Sequence, residues 1–312
     1  MTHHGEPPKR RSDTAARAPR SRQPLRVLRP HGANTPQEFA DHPARWHRPH
    51  VRTIVVASGK GGVGKSNLAA NLAVALGERD ARVLLVDADL SQANLDLLLG
   101  VHPRFDLQHV LSGEKTPEEI VVQGPRGVKL VPAASGVAEL AELDDYRREF
   151  LIRALSQLED DVDLVLIDTA SGVSRQVTAF CMAADDVVIV TTPEMPAFSD
   201  AYALIKLLQQ QGVARPPHLF VSMANSPEEA EETAHRIRLV ARRFLRMDVE
   251  SWGYVPHDAA VLRAVRRQEP VVTAYPQSPA AHAYRALAER LWEVPQPEPT
   301  PRVPHTPERL EA

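Results

Sequence analysis

A single cysteine, Cys181, occurs in 312 residues, so neither a disulfide framework nor an iron–sulfur centre can be assembled within one chain. A reducing cytoplasm is the simplest compartment for such a composition. No apolar run approaches the ~20 residues that would span a bilayer. The first residues lack an apolar signal core, and no secretory leader is expected. Strong charge of one sign is also missing. The net charge is −3, so the molecule as a whole is not an obvious binder of polyanions.

That small number hides an asymmetry. Residues 1–50 hold ten Lys/Arg and four Asp/Glu; the remainder holds 27 and 36. The first fifty residues are rich in Arg, Pro and His and show no helix or strand period, which reads as a disordered basic tail. Six of the 13 histidines fall there, in no spacing that suits a metal. Phe39 and Trp46 are the aromatics of this tail, and the segment 36–46 is a candidate for docking on the domain or on a partner; an idle tail is the alternative. After Trp292 prolines recur at 295, 297, 299, 301, 304 and 307, and residues 294–312 read as a second disordered tail.

Between the tails, residues 51–293 read as one domain. Short apolar runs alternate with helical patterns. The runs are Thr53–Ala57, Val83–Val86, Val128–Val131, Leu164–Ile167, Val187–Thr191, Leu219–Val221 and about Val249–Tyr254. They lack a period of two, which suits strands buried on both faces. Ala201, Leu204, Ile205 and Leu208 fall at helical spacing. Ala230, Ala234, Ile237, Ala241 and Phe244 make a second stripe, and Ala280, Tyr284, Leu287 and Leu291 a third. Strands alternating with helices imply an α/β fold, a mostly parallel twisted sheet of about seven or eight strands with helices on both faces. Apolar content of 43% supports a core of that size.

The stretch that carries chemistry is Ser58-Gly59-Lys60-Gly61-Gly62-Val63-Gly64-Lys65-Ser66-Asn67. It follows the first run and precedes an Ala/Leu-rich helical stretch, and it fits the P-loop pattern G-x-x-x-x-G-K-[ST]. The glycines let successive N–H groups converge on phosphate oxygens, and the following helix adds the positive end of its dipole. Lys65 can reach the β- and γ-phosphates, and the Ser66 hydroxyl can ligate Mg²⁺. A second lysine, Lys60, follows the first glycine. An ordinary P-loop has no need of it, and a solvated loop cation is the plain alternative.

Two further carboxylate sites follow strands. Val83–Val86 runs into Asp87-Ala88-Asp89-Leu90-Ser91-Gln92-Ala93-Asn94. Ligands of open parallel sheets lie beyond the carboxyl ends of strands. There, one carboxylate can hold Mg²⁺ and the other can orient an attacking water. Leu164–Ile167 ends in Asp168-Thr169-Ala170-Ser171-Gly172, the Walker B arrangement, with Gly172 placed to meet a γ-phosphate. An Asp-rich turn and a helix cap are the structural alternatives.

The run Lys60-Gly61-Gly62-Val63-Gly64-Lys65-Ser66 resembles the deviant Walker A motif of the MinD/ParA ATPases. The resemblance covers about residues 52–292. It implies a SIMIBI-type P-loop NTPase fold, ATP and Mg²⁺ as cofactors, slow ATP hydrolysis, and an ATP-bound homodimer in which Lys60 crosses to the partner's nucleotide. By the same resemblance Asp87 and Asp168 join Ser66 in the metal shell, Lys60, Lys65 and Asp89 are catalytic, and Asp89 serves the hydrolytic water. Gly59 to Asn67 and Gly172 hold the phosphates. Ser222 and Asn225, in Ser222-Met223-Ala224-Asn225, and Pro256 and Asp258, in Gly253-Tyr254-Val255-Pro256-His257-Asp258, line the adenine. Asp258 as the N-cap of the next helix is the alternative.

Thr191-Thr192-Pro193-Glu194, Ser199 to Lys206, and Ser135-Gly136-Val137-Ala138-Glu139-Leu140 resemble the flagellar number regulators of the FlhG/FleN branch, also called YlxH-like. That implies a role in flagellum number and placement, with an FlhF-like GTPase or basal-body proteins as partners and a cytoplasmic location, peripheral to the inner face of the membrane if it touches one. The proline-rich terminus cannot form the membrane-binding amphipathic helix of MinD-like members. Two other readings stay open. Arg238, Arg242 and Arg246 at i, i+4, i+8 suggest a ParA-like partition ATPase on nonspecific DNA, or simply a solvated face. A metabolic P-loop enzyme such as a ligase is the third.

Overall fold

The strand β1 (Arg52–Ser58) is buried along its whole length. Its side chains divide by the period of two: Val55 and Ala57 enter one apolar cluster, Ile54 and Val56 the other. β1 therefore lies inside a three-layer sandwich, as its unbroken apolar run predicts. The computed structural model describes residues 51–293 apart from 91, 134–144, 157, 159 and 160. The readings of the two tails and of Ser135 to Leu140, and Ser91 in the run after β2, lie outside the described residues.

Among the described residues eight strands form one sheet, in the order β3-β4-β2-β5-β1-β6-β7-β8. The remaining strands are β2 (Val83–Ala88), β3 (Val122–Gln123), β4 (Lys129–Val131), β5 (Leu164–Ser171), β6 (Asp186–Thr191), β7 (His218–Ala224) and β8 (Glu250–Pro256). All neighbours are parallel except β3 and β4. The seven runs read from the sequence are all strands. The eighth, β3, has two residues, too few to show a pattern.

One face is covered by α1 (Lys65–Gly77), α2 (Leu95–Leu99), α9 (Ala259–Arg266), α10 (Val271–Ala274) and α11 (Pro279–Glu293). The other carries α3 (Leu107–Leu111), α4 (Pro117–Ile120), α5 (Asp145–Ser156), α6 (Arg175–Ala183), α7 (Met195–Gln210) and α8 (Pro227–Leu245). The stripes of α7 and α11 are buried as their spacing requires. The stripe of α8 is buried from Ala230 to Ala241, but Phe244 is 66% exposed, with the Arg243 guanidinium 5.5 Å from its ring centroid. The helix outruns the surface beneath it, so periodicity places Phe244 on the inner side with nothing there to cover it.

Strand order decides where function sits. β5 lies between β2 and β1, so the loop after β1 and the strand ends carrying Asp87 and Asp168 are brought together. Asp87 and Asp168 are register partners on adjacent strands.

Candidate functional site

The loop from Ser58 to Lys65 closes the carboxyl end of β1. Two of its glycines take left-handed backbone: Gly62 at φ 77° and Gly64 at φ 89°. Gly64 caps α1, and its carbonyl accepts from the Leu68 N–H at 2.9 Å, so the first-turn N–H groups of a 13-residue helix point into the loop. A side chain at Gly64 would meet the Ser222 Oγ at 2.8 Å. The loop thus forms a cradle of backbone donors at the positive end of a helix, which is what a phosphate needs.

Beside it lies a cavity of about 450 Å³ lined by the loop and by Asp89, Gln92, Asn94, Leu97, Met223, Val265 and Gln268. Behind the cradle, the Lys65 Nζ donates to Asp168 Oδ1 at 2.8 Å, and both are buried. Burial raises the Asp168 pKa; the Lys65 ammonium and the Ser66 hydroxyl oppose it. Asp87 is buried too. Its carboxylate accepts from the N–H groups of Asp89 (3.1 Å), Asn94 (3.1 Å) and Leu95 (3.2 Å). Burial and the neighbouring Asp168 nonetheless push Asp87 up to about 8. The one ammonium pairs with Asp168, the Ser66 hydroxyl bonds the same carboxylate, and Asp87 lies beside it on the adjacent strand. This set of hard oxygen donors with excess negative potential fits Mg²⁺.

A pH dependence follows. The folded pKa of Asp87 stands above its unfolded value near ~3.9. Its contribution to stability is fully present below about 4 and is lost as pH rises toward 8. Asp87→Asn is expected to remove most of that decline, on the order of a few kcal/mol between pH 5 and 8 without Mg²⁺. Equal slopes for variant and parent in urea melts across this range would contradict the assignment.

Asp89, half-buried, sits at the cavity wall and accepts from the Gln92 N–H at 2.9 Å. Lys60 lines the mouth, its Nζ 2.6 Å from Glu194 Oε2 at the start of α7. Gly172 has φ 101°, and its N–H donates to the Ser58 carbonyl at 2.8 Å, extending the β1–β5 ladder. Val63 is buried beneath the loop.

The residues read as adenine contacts come together at the adjoining ends of β7 and β8, and none of the four lines this cavity. Ser222 is buried against Gly64. The Asn225 amide is tied to the Glu229 carboxylate at 3.1 Å. Pro256 pairs with Ala224 at the end of β8. Asp258 caps α9, accepting from the Ala260 N–H at 2.8 Å and from the Ala280 N–H at 3.1 Å. Both of its oxygens are thus used by backbone, as the capping alternative requires. On the open side of the cavity stand residues the sequence did not single out: Met223 and Gln268, each with positive φ, and Val265 and Leu97. A non-glycine residue at φ 59° such as Met223 marks the irregular register between β7 and β8.

The basic stripe on α8 does not extend as its spacing suggests. Arg238 pairs with Glu231 at 3.6 Å and Arg242 with Asp248, while Arg246 lies past the helix end in left-handed backbone. No helix of the described residues is long and apolar enough to cross a membrane.

Comparison with known proteins locates this geometry. The family model described as "ParA: NUBPL iron-transfer P-loop NTPase" matches residues 50–292. The antiactivator FleN of Pseudomonas aeruginosa is 39% identical over 247 residues, 78% of this chain and 88% of that one. The flagellum site-determining protein YlxH of Helicobacter pylori is 33% identical over 241 residues, 75% of this chain and 78% of that one. The solved structure of the septum site-determining protein MinD from Pyrococcus horikoshii, complexed with Mg-ADP, superposes with a TM-score of 0.66 at 28% identity, covering 78% of this chain and 96% of the other.

Iron transfer, part of the family description, has no thiol pair to work with here. Cys181 is fully buried on α6, and burial pushes its thiol up to about 12. Native protein is expected to leave a thiol reagent such as dithionitrobenzoate unreacted at pH 8, with one equivalent released on unfolding. Prompt reaction of the native protein would contradict this burial.

Proposed function

The chain belongs to the ParA/MinD family of P-loop NTPases, and from that premise we propose that it is an ATP-hydrolysing switch that pairs with a second copy and regulates the number or placement of flagella. The second lysine of the loop carries the reading. Lys65 already supplies the buried cation of the cradle. Lys60 is half exposed at the cavity mouth, restrained by a surface pair with Glu194. Such pairs contribute at most about 1 kcal/mol, so the ammonium is free to exchange Glu194 for a phosphate presented by another copy. The flagellar role rests on similarity to FleN and YlxH, whose names describe an antiactivator and a flagellum site-determining protein.

In this reading the loop N–H groups and Lys65 hold the triphosphate. Ser66, Asp87 and Asp168 hold Mg²⁺, which when bound neutralises charge on the phosphate oxygens. Asp89 positions the water that attacks the terminal phosphorus, giving ADP and phosphate. With the anionic link between copies gone, Lys60 returns to Glu194 and the dimer separates. Partners fitting this role are an FlhF-like GTPase or proteins of the flagellar base, in the cytoplasm.

Gel filtration tests the switch. Wild type with Mg-ATP is expected to elute as a dimer and without nucleotide as a monomer. Lys60→Ala is expected to bind ATP yet stay monomeric. Monomeric elution of wild type under both conditions would remove the dimer from the mechanism.

A further inference from the structure

The helix α6 turns an amide into the core. Gln176, Val177, Phe180 and Cys181 are all buried, so Gln176 shares the inward positions of an otherwise apolar stripe. A buried amide costs free energy unless it is hydrogen-bonded. This one is bonded. The Gln176 Nε2 donates to the Ala88 carbonyl at 3.3 Å, across 88 residues of sequence. Ala88 is the last residue of β2 and stands between the two aspartates of the site, Asp87 and Asp89. β4 pairs with β2 only as far as Val86. The end of β2 that carries the site has therefore outrun its neighbour on that side, and Gln176 supplies a donor there.

The peptide joining Ala88 to Asp89 is planar, with one polar group at each edge. Both edges are held. The Ala88 carbonyl accepts from Gln176, and the Asp89 N–H donates to Asp87 Oδ1 at 3.1 Å. A plane held on both sides is kept from turning, and this sets the direction in which the Asp89 Cα–Cβ bond leaves the chain. Gln176 is itself anchored close to the phosphate loop. Gly172, at φ 101°, donates its N–H to the Ser58 carbonyl at 2.8 Å, and the Ser174 hydroxyl caps α6 by accepting from the Val177 N–H at 3.3 Å. The residue bonded to the base of the loop and the residue bonded to Ala88 thus belong to one short, capped stretch.

We propose that Gln176 is a positioning residue for hydrolysis and acts through Asp89: by fixing the Ala88–Asp89 peptide it keeps the Asp89 carboxylate at the cavity wall, aimed at the attacking water. The proposal rests on the hydrolytic reading of Asp89 given above. Gln176 does not line the cavity and is not a catalytic residue. Its loss is therefore expected to slow turnover and to leave nucleotide affinity alone, because the groups assigned to the phosphates and the metal are elsewhere.

Gln176→Met in the full-length protein tests this, since it keeps an unbranched side chain and removes the donor. ATP turnover is expected to fall about ten- to a hundredfold, the scale of a displaced catalytic group. The Kd for Mg-ATP is expected to stay within about twofold of the parent, as for a group that acts only on the chemical step. Gln176→Asn, one methylene shorter, is expected to behave the same way. In nucleotide-free protein, hydrogen exchange at the Asp89, Asn94 and Leu95 amides is expected to quicken severalfold in both variants, with residues 58–66 unchanged. A double-mutant cycle separates positioning from a merely structural role: in an Asp89→Asn background, Gln176→Met is expected to slow turnover no further. Parental turnover in Gln176→Met beside a slow Asp89→Asn would overturn the proposal. So would a full additional loss in the Asp89→Asn background, a parallel loss of Mg-ATP affinity, or unaltered exchange. Parental turnover in Asp89→Asn would instead remove the hydrolytic reading itself, and the proposal with it.

Discussion

Gly59→Ala is expected to weaken ATP binding about ten- to a hundredfold and to lower stability by about 1–3 kcal/mol, the usual range for an overpacked site. A Cβ at position 59 would lie 2.2 Å from the Asp200 carbonyl oxygen, 2.4 Å from its carbon and 2.8 Å from its Cβ. These are mostly backbone atoms in the second turn of α7, so no rotamer change relieves the clash. Either α7 retreats or the loop lifts off the end of β1, and a lifted loop no longer aims its N–H groups at one point. Gly62 is the control. It has φ 77°, but a Cβ there meets nothing within 4 Å, so Gly62→Asn costs only the left-handed strain of about 1 kcal/mol. Isothermal titration with Mg-ATP and thermal melts of both variants decide it. Parental affinity and melting temperature in Gly59→Ala would mean that the loop does not rest on α7.

The same contact shows which parts of the site a sequence can carry. Gly59, Gly64 and Lys65 were legible because the P-loop is local: strand, loop and helix are contiguous, and its donors come from one segment. Asp87 and Asp168 were legible because each ends a strand buried on both faces, and unbroken apolar runs announce such strands. The register that sets them side by side depends on β5 inserting between β2 and β1, and no spacing encodes that. The open side of the cavity was the least legible. Leu97, Met223, and Val265 with Gln268 come from three separate stretches, α2, β7 and α9 with the turn after it, and each side chain alone looks like surface. Met223 and Gln268 hold left-handed backbone without being glycine, so no residue type marked those turns. Asp258 shows the reverse. Its motif suggested the base, while its position before α9 and beside the start of α11 commits both oxygens to backbone N–H groups. Phe244 shows that periodicity reports direction and not cover.

Lys65→Ala is expected to abolish nucleotide binding and to destabilise the protein by about 3–5 kcal/mol, the usual result of removing one member of a buried ion pair. The stability loss has a definite pH dependence. The Lys65 ammonium holds the Asp168 carboxyl down against burial. Without it the folded pKa of Asp168 rises further above its unfolded value. The protonated carboxyl is tolerated at low pH, and the penalty grows as pH rises through the folded value. Lys65→Ala is therefore expected to melt nearly as the parent at pH 5 and well below it at pH 8. Adding Asp168→Asn removes the stranded charge and is expected to recover most of the stability, while nucleotide binding stays absent because the cation that meets the phosphates is gone. This double mutant separates the balancing of a buried carboxylate in the resting protein, which the 2.8 Å pair shows, from the proposed holding of phosphate oxygens when nucleotide arrives. If Lys65→Ala alone keeps parental stability at pH 8, the 2.8 Å pair carries no net stabilisation. If the double variant regains nucleotide binding, the phosphate cradle works through its backbone N–H groups without this cation.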